Sequence, residues 1–110
     1  MSNCIFCKIA MHEIPTEFSY EDKDVMAFSD INPIAQVHIL VMPKKHTKDF
    51  MDFKDSYVLK KVKDVIQKIV KDQKLEDKGY RVVINGGGAQ IIDHLHFHLI
   101  GPLGKKVSME

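Results

Sequence analysis

Asp93-His94-Leu95-His96-Phe97-His98-Leu99-Ile100 is the stretch that decides how this chain is read. In an extended strand, successive side chains point to opposite faces. Leu95, Phe97 and Leu99 then share one face and can pack on an apolar helix. His94, His96 and His98 share the other. Sheet stability gives no reason for three imidazoles in a row on one face, so the pattern points to a functional site. A three-histidine metal site is the rival reading, and geometry weakens it. A rise of about 3.3 Å per residue sets His94 and His98 ~13 Å apart at the backbone. A zinc–nitrogen bond is only ~2.0–2.1 Å. Neighbouring rings can share an ion; all three on one regular strand hardly can. The three histidines are expected to have different jobs.

The segments before this stretch supply a sheet and a helix for it to join. Cys4 to His12 can form a short helix with Ile5, Phe6 and Ile9 on an apolar side, closed by Pro15. Phe18 to Glu21 and Val25 to Ser29 read as a hairpin around the turn Asp22-Lys23-Asp24. Asp30-Ile31-Asn32-Pro33 is a loop, because the residue before proline avoids the helical region. His38 to Met42 is a strand stopped by Pro43. A long helix follows, with Ser56 or Asp55 as its N-cap. Leu59, Val62, Val65, Ile66, Ile69 and Val70 fall at the spacing of one buried face, with lysines and aspartates on the other. The charged run from Lys71 to Lys78 and Gly79 closes it. Tyr80 to Ile84 is a strand, Asn85 opens a glycine loop, and Ile92 to Ile100 is the last strand. The expected fold is α+β: a five-stranded antiparallel sheet, one long amphipathic helix on one face and a short N-terminal helix.

The chain has 110 residues, 45% of them apolar and 28% charged, so a single domain over 1–110 is expected. Sixteen basic and fifteen acidic side chains leave a formal charge of +1. That balance argues against nonspecific binding to nucleic acid or anionic lipid. No apolar run approaches the ~20 residues of a membrane span. The opening Met-Ser-Asn-Cys lacks a positive region followed by an apolar stretch, and the chain reads as cytoplasmic.

Cys4-Ile5-Phe6-Cys7 is a C-x-x-C pair, open between redox chemistry and metal binding. A thioredoxin-like site needs a strand ahead of the pair, and only three residues precede Cys4. A disulfide is disfavoured in a reducing compartment. A closed zinc site needs four ligands. His46, past the end of one strand, and His94, at the start of another, could supply the remaining two. Two ordinary buried thiols remain the plain alternative.

Taken together these residues resemble the histidine triad (HIT) family. His94-Leu95-His96-Phe97-His98-Leu99-Ile100 matches its signature throughout. Cys4 to Ile9 with Glu13-Ile14-Pro15, the loop Phe28 to Pro33, the strand His38 to His46, and Asn85 with Ala89-Gln90 resemble its other segments. The match is to the small Hint-like branch, the purine nucleoside phosphoramidate hydrolases, rather than the dinucleoside polyphosphate hydrolases. The resemblance implies a purine pocket walled by Ile5, Phe6, Ile9, Phe28 and Ile31. It implies that Asp30 accepts from the ribose hydroxyls. Asn85, Ala89, Gln90 and His98 would surround the α-phosphate. His96 would be the nucleophile and His38 a supporting fourth histidine. Relatives with the same C-x-x-C bind a structural zinc through positions matching Cys4, Cys7, His46 and His94.

The implied reaction is cleavage of a nucleoside 5′-phosphoramidate, with AMP or GMP as the nucleotide part, and needs no catalytic metal. A neutral imidazole is a competent nucleophile near its ordinary pKa of ~6.5. A covalent nucleotidyl-histidine would split one difficult step into two. The second ring nitrogen of His96 is expected to give its proton to a fixed main-chain carbonyl. His98, Gln90 and glycine-loop N–H groups are expected to meet the phosphate oxygens. A nucleotide-binding or signalling protein with vestigial hydrolysis, a dinucleoside polyphosphate hydrolase, and a zinc module with an interaction role are the alternatives. Relatives are homodimers. Two positions depart from many relatives. Ile91 stands where they carry Ser or Thr and cannot donate a proton. Only four residues separate Asn85 from Gln90, a short phosphate loop. Lys44 and Lys45 read as solvated, His12 as exposed, and the tail 104–110 as an element without an assigned mechanism. Without the resemblance, Asp30 reads as a turn residue.

Overall fold

The computed structural model describes residues 3–105, so both ends of the expected domain, including most of the tail, lie outside the described residues. The elements are α1 (Ile5–Ala10), β1 (Phe18–Glu21), β2 (Val25–Ser29), β3 (Val37–Pro43), α2 (Ser56–Asp72), β4 (Arg81–Ile84) and β5 (Phe97–Gly101). The strands form one antiparallel sheet in the order β1-β2-β3-β5-β4.

Burial in β2 and β3 is almost continuous rather than alternating, because both faces of the sheet are covered. Val25, Ala27, Ile39, Val41 and Leu99 face α2 and pack on Val62, Val65, Ile66, Ile69 and Val70. Met26, Phe28, Leu40 and Met42 point the other way and pack on Phe6 and Ile9 of α1. The long helix therefore buries the expected stripe, with one exception. Leu59 is exposed and lines a groove with Ile66, Val70, Tyr80, Val82 and Phe97, beside the edge strand β4.

Local chemistry sets the helix ends. Asp55 caps α2 by accepting from Val58 N at 3.0 Å. Both helices finish in the same six-to-one closure, with a non-glycine residue in the left-handed region. In α1, His12 has φ 61° and Glu13 N donates to Lys8 O at 2.8 Å. In α2, Lys74 has φ 58° and Leu75 N donates to Val70 O at 2.9 Å, which seats Leu75 in the core. Thus α1 stops before Pro15 can act, and α2 stops before Gly79. The β1–β2 turn is fastened to α2 through Asp22, which accepts from Tyr20 Oη, Asp24 N and Val25 N and pairs with Lys61. Burial alone would raise the Asp22 carboxyl; those donors hold it below the usual carboxylate range. Lys44 is not simply solvated: its Nζ lies 2.6 Å from Glu21 Oε2, an oxygen that His12 also engages.

The last strand corrects one expectation. It begins at Phe97, not Ile92. His94 N turns back to Ile92 O at 2.8 Å, and Leu95 N donates at 2.7 Å to Thr47 O in the connection after β3. His94 and Leu95 thus spend their donors outside the ladder. Phe97 is the first to pair, opposite Val41 and Ile84.

Candidate active site and metal cluster

The sheet face that carries α1 also carries His38 and His98, while His94 and His96 precede β5. His98 of β5 lies opposite Leu40, and His38 of β3 opposite Ile100, so the two are diagonal neighbours on one face. His38 is buried, His98 half-buried. Their rings meet with His38 Nε2 and His98 Nδ1 2.9 Å apart. The backbone N–H of Ile34 donates to His38 Nδ1 at 3.2 Å. In neutral His38 the proton is therefore on Nε2 and is given to His98 Nδ1. The His98 proton is then left on Nε2, which is buried and has no hydrogen-bond partner among the described residues. A buried, unsatisfied N–H costs about 1–3 kcal/mol unless an acceptor arrives. Burial first, then the neighbouring His96 and His38, push the His98 pKa below that of an ordinary histidine, while Asp30 opposes them.

His96 is buried, and its Nδ1 lies 2.7 Å from the carbonyl oxygen of His94. A carbonyl only accepts, so Nδ1 bears the proton and Nε2 keeps the lone pair. The expected main-chain acceptor is thus in place. Phe6 of α1 meets the His96 ring edge-on with centroids 5.1 Å apart, and the His96 and His98 centroids are 4.9 Å apart.

Asp30 does two things. Oδ1 accepts from Asn32 N at 2.9 Å, closing the turn. Oδ2 lies 3.5 Å from His38 Nε2. The residues expected around a base divide. Phe6, Ile9 and Phe28 are buried together, whereas Ile5 is half exposed and Ile31 almost fully exposed. Asn85 and Ala89 are exposed. Gln90 is buried, and its amide braces the loop: Nε2 donates to Lys48 O at 3.1 Å and Oε1 accepts from Gly88 N at 3.0 Å. Gly87 N donates to Asp49 Oδ1 at 2.9 Å. The Gln90 amide and the N–H groups of Gly87 and Gly88, expected to be phosphate donors, are therefore already paired within the chain. The Thr47–Asp49 segment that pairs with them was not singled out in the sequence, where only Lys44 and Lys45 read as solvated and His46 as a candidate metal ligand.

On the far side of His94 lies a second cluster. Cys4, Cys7, His46 and His94 bring their sulfur and nitrogen atoms within 4.8 Å of one another. Cys4 caps α1, with Cys7 N donating to its Sγ at 3.3 Å. His94 is fully buried; its Nε2 faces Pro43 O at 2.8 Å, so Nδ1 holds the lone pair. That Nδ1 is 3.4 Å from Cys4 Sγ and 3.6 Å from Cys7 Sγ, and His46 Nδ1 is 3.3 Å from Cys7 Sγ. Zinc bonds of ~2.3 Å to sulfur and ~2.0–2.1 Å to nitrogen, met at the tetrahedral angle, leave their outer ends about 3.5 Å apart. Burial and then the Cys4 thiol push the Cys7 thiol up to about 11, and burial lowers the His94 pKa. The cluster is compatible with a structural zinc: four N/S donors lie within 4.8 Å of one another, with three of the pairs at tetrahedral spacing.

Comparison with known proteins gives a family and its neighbours. The HIT domain model matches residues 11–104. A 14 kDa zinc-binding protein of Zea mays is 44% identical over 91% of this chain and 82% of its own. A protein of Candida albicans named adenosine 5′-monophosphoramidase is 39% identical over 90% of this chain and 70% of its own. The solved HIT family hydrolase of Clostridium thermocellum superposes with a TM-score of 0.91 at 37% identity, covering 100% of this chain and 99% of the other. The α+β fold described above, with its five-stranded antiparallel sheet, is the one these structures share.

Proposed function

The chain belongs to the HIT domain family, and from that premise we propose that it hydrolyses purine nucleoside 5′-phosphoramidates or related nucleoside monophosphate conjugates through a nucleotidyl-His96 intermediate. The observation that carries the reading is the pinned His96 ring: Nδ1–H on the His94 carbonyl, Nε2 unprotonated. Nε2 would bond to the α-phosphorus as the phosphorus–nitrogen bond to the leaving amine breaks and the amine takes up a proton. Water then attacks the same phosphorus, releasing the nucleoside monophosphate and restoring Nε2. Charge gathering on the phosphate oxygens would meet the unpartnered His98 Nε2–H. Asp30, 3.5 Å from His38, would accept from the ribose hydroxyls with Oδ2. Phe6, Ile9 and Phe28 would back the base, with Ile5 and Ile31 at its rim. The phosphoramidase from Candida albicans supports this substrate class.

Zinc on Cys4, Cys7, His46 and His94 would be structural, tying α1, the base wall, to the sheet. Thiols kept reduced for that metal agree with a cytoplasmic setting. A homodimer is the proposed assembly: β4 is an unpaired sheet edge, and the exposed Leu59, Tyr80 and Val82 border it.

Mixing the protein with adenosine 5′-phosphoramidate labelled in the phosphate is expected to give a burst of labelled protein, absent in His96→Ala. A second reading, nucleotide binding with vestigial turnover, is favoured by Ile91, which is 97% exposed and carries no proton to give. An AMP-induced rise in melting temperature with neither burst nor turnover would select it.

A further inference from the structure

The connection from β3 to α2 is bolted to the site by three consecutive residues. Thr47 O accepts from Leu95 N at 2.7 Å. Lys48 O accepts from Gln90 Nε2 at 3.1 Å. Asp49 Oδ1 accepts from Gly87 N at 2.9 Å. Leu95 stands between the two histidines pinned by main-chain carbonyls, while Gln90 and Gly87 frame the glycine loop.

That loop has little shape of its own. Gly87 and Gly88 sit at φ 65° and 97°, where glycine costs nothing but also commits to nothing. Its order comes from partners: Gly88 N on Gln90 Oε1, Ala89 N on Gly86 O, and Gly87 N on Asp49. Of these, Asp49 is the one side chain reaching in from outside the loop and its flanks. The fit is close, since a Cβ on Gly86 would lie 2.7 Å from Asp49 Oδ1.

We infer that Asp49 is a positioning residue: it holds the short glycine loop in the shape that borders the reacting phosphate. Its catalytic consequence rests on the proposed function; the brace itself does not. A carboxylate beside an anionic substrate is an electrostatic disadvantage, so the side chain acts here by geometry, through one accepting oxygen. Asp49→Asn keeps such an oxygen and removes the charge. Asp49→Ala removes both.

The test measures amide exchange at Gly87 by NMR in the full chain, and kcat and KM for adenosine 5′-phosphoramidate. In Asp49→Ala, Gly87 exchange should speed at least about tenfold and kcat should fall roughly 10- to 100-fold, more than KM changes. In Asp49→Asn both should stay near wild type, which also controls for folding. Equal damage in the two variants, or an unchanged kcat in Asp49→Ala, overturns the inference. If the wild type itself shows no turnover, the proposed function has failed and exchange alone decides. Gly87 protection lost in Ala and kept in Asn upholds the brace; unchanged protection in Ala overturns it.

Discussion

His94 and His96 are two residues apart, and each is pinned by a main-chain carbonyl, but through opposite nitrogens. His94 gives Nε2–H to Pro43 and turns Nδ1 toward two sulfurs. His96 gives Nδ1–H to the His94 carbonyl and keeps Nε2 as a lone pair. Around His94, lone pairs converge and the His94 proton points away, an arrangement compatible with a cation. Around His98, protons are handed along from Ile34 through His38 until one N–H is left over, an arrangement complete only with an acceptor. The same residue type thus sets converging lone pairs and a left-over N–H side by side, and which ring nitrogen each neighbour engages decides which. Phe6 touches both His94 and His96, so α1 is the shared wall.

The comparison breaks most sharply at His96. His96→Ala should cost roughly 10⁴-fold or more in phosphoramidate turnover, with zinc content unchanged by metal analysis. Zinc lost from that variant would mean the two halves are one site. The converse test is Cys7→Ser, or chelation of the native protein. Either should lower the melting temperature by about 10 °C or more, because α1 loses the atoms that tie it to His46 and His94. An unchanged melting temperature would show that the Cys/His cluster holds no stabilising ion.

Much of this division could be read before any coordinates. The ~13 Å argument set His94 and His98 apart, and they do lie in different clusters, although its premise of one regular strand holds only from Phe97; the periodicity from Val62 to Val70 placed α2 against one sheet face. The hairpin was legible because Asp22 offers its carboxylate to the turn's own N–H groups. The error over Ile92–His96 has a physical cause. Alternation reports where side chains point, but not where backbone donors go, and there they go to Ile92 and to Thr47. Leu59 was misread because helical spacing cannot tell a core from a groove at an unpaired edge. Asp49, and the brace that Gln90 makes to Lys48 O, are a third kind of miss. Their partners are backbone atoms, 38 and 42 residues away, and a backbone partner leaves no mark in residue type or spacing.

Two smaller effects sharpen the relay half. Replacing His38 by Phe removes the donor to His98 Nδ1, so His98 is free to move its own proton to Nδ1 and present a bare Nε2 to the phosphate. The expected loss is roughly 100-fold in kcat, with a shift in His98 tautomer seen by nitrogen NMR. An unaltered tautomer would break the relay.

The smallest effect is on stability against pH. His98 titrates below its unfolded value of ~6.5. Between those two values the unfolded chain holds more protons than the native one, so stability rises with pH there. The contribution is fully present above about pH 6.5 and is lost as pH falls through the lowered native value, with a slope of at most about 1.4 kcal/mol per pH unit for one proton. Denaturant midpoints from pH 7 down to 5, with zinc saturating, should show that slope in the wild type and a shallower one in His98→Asn. Bound AMP should steepen the contrast in the opposite sense, because an anion beside Nε2 favours the charged ring. A midpoint that AMP leaves as pH-dependent as before would place the nucleotide phosphate away from His98.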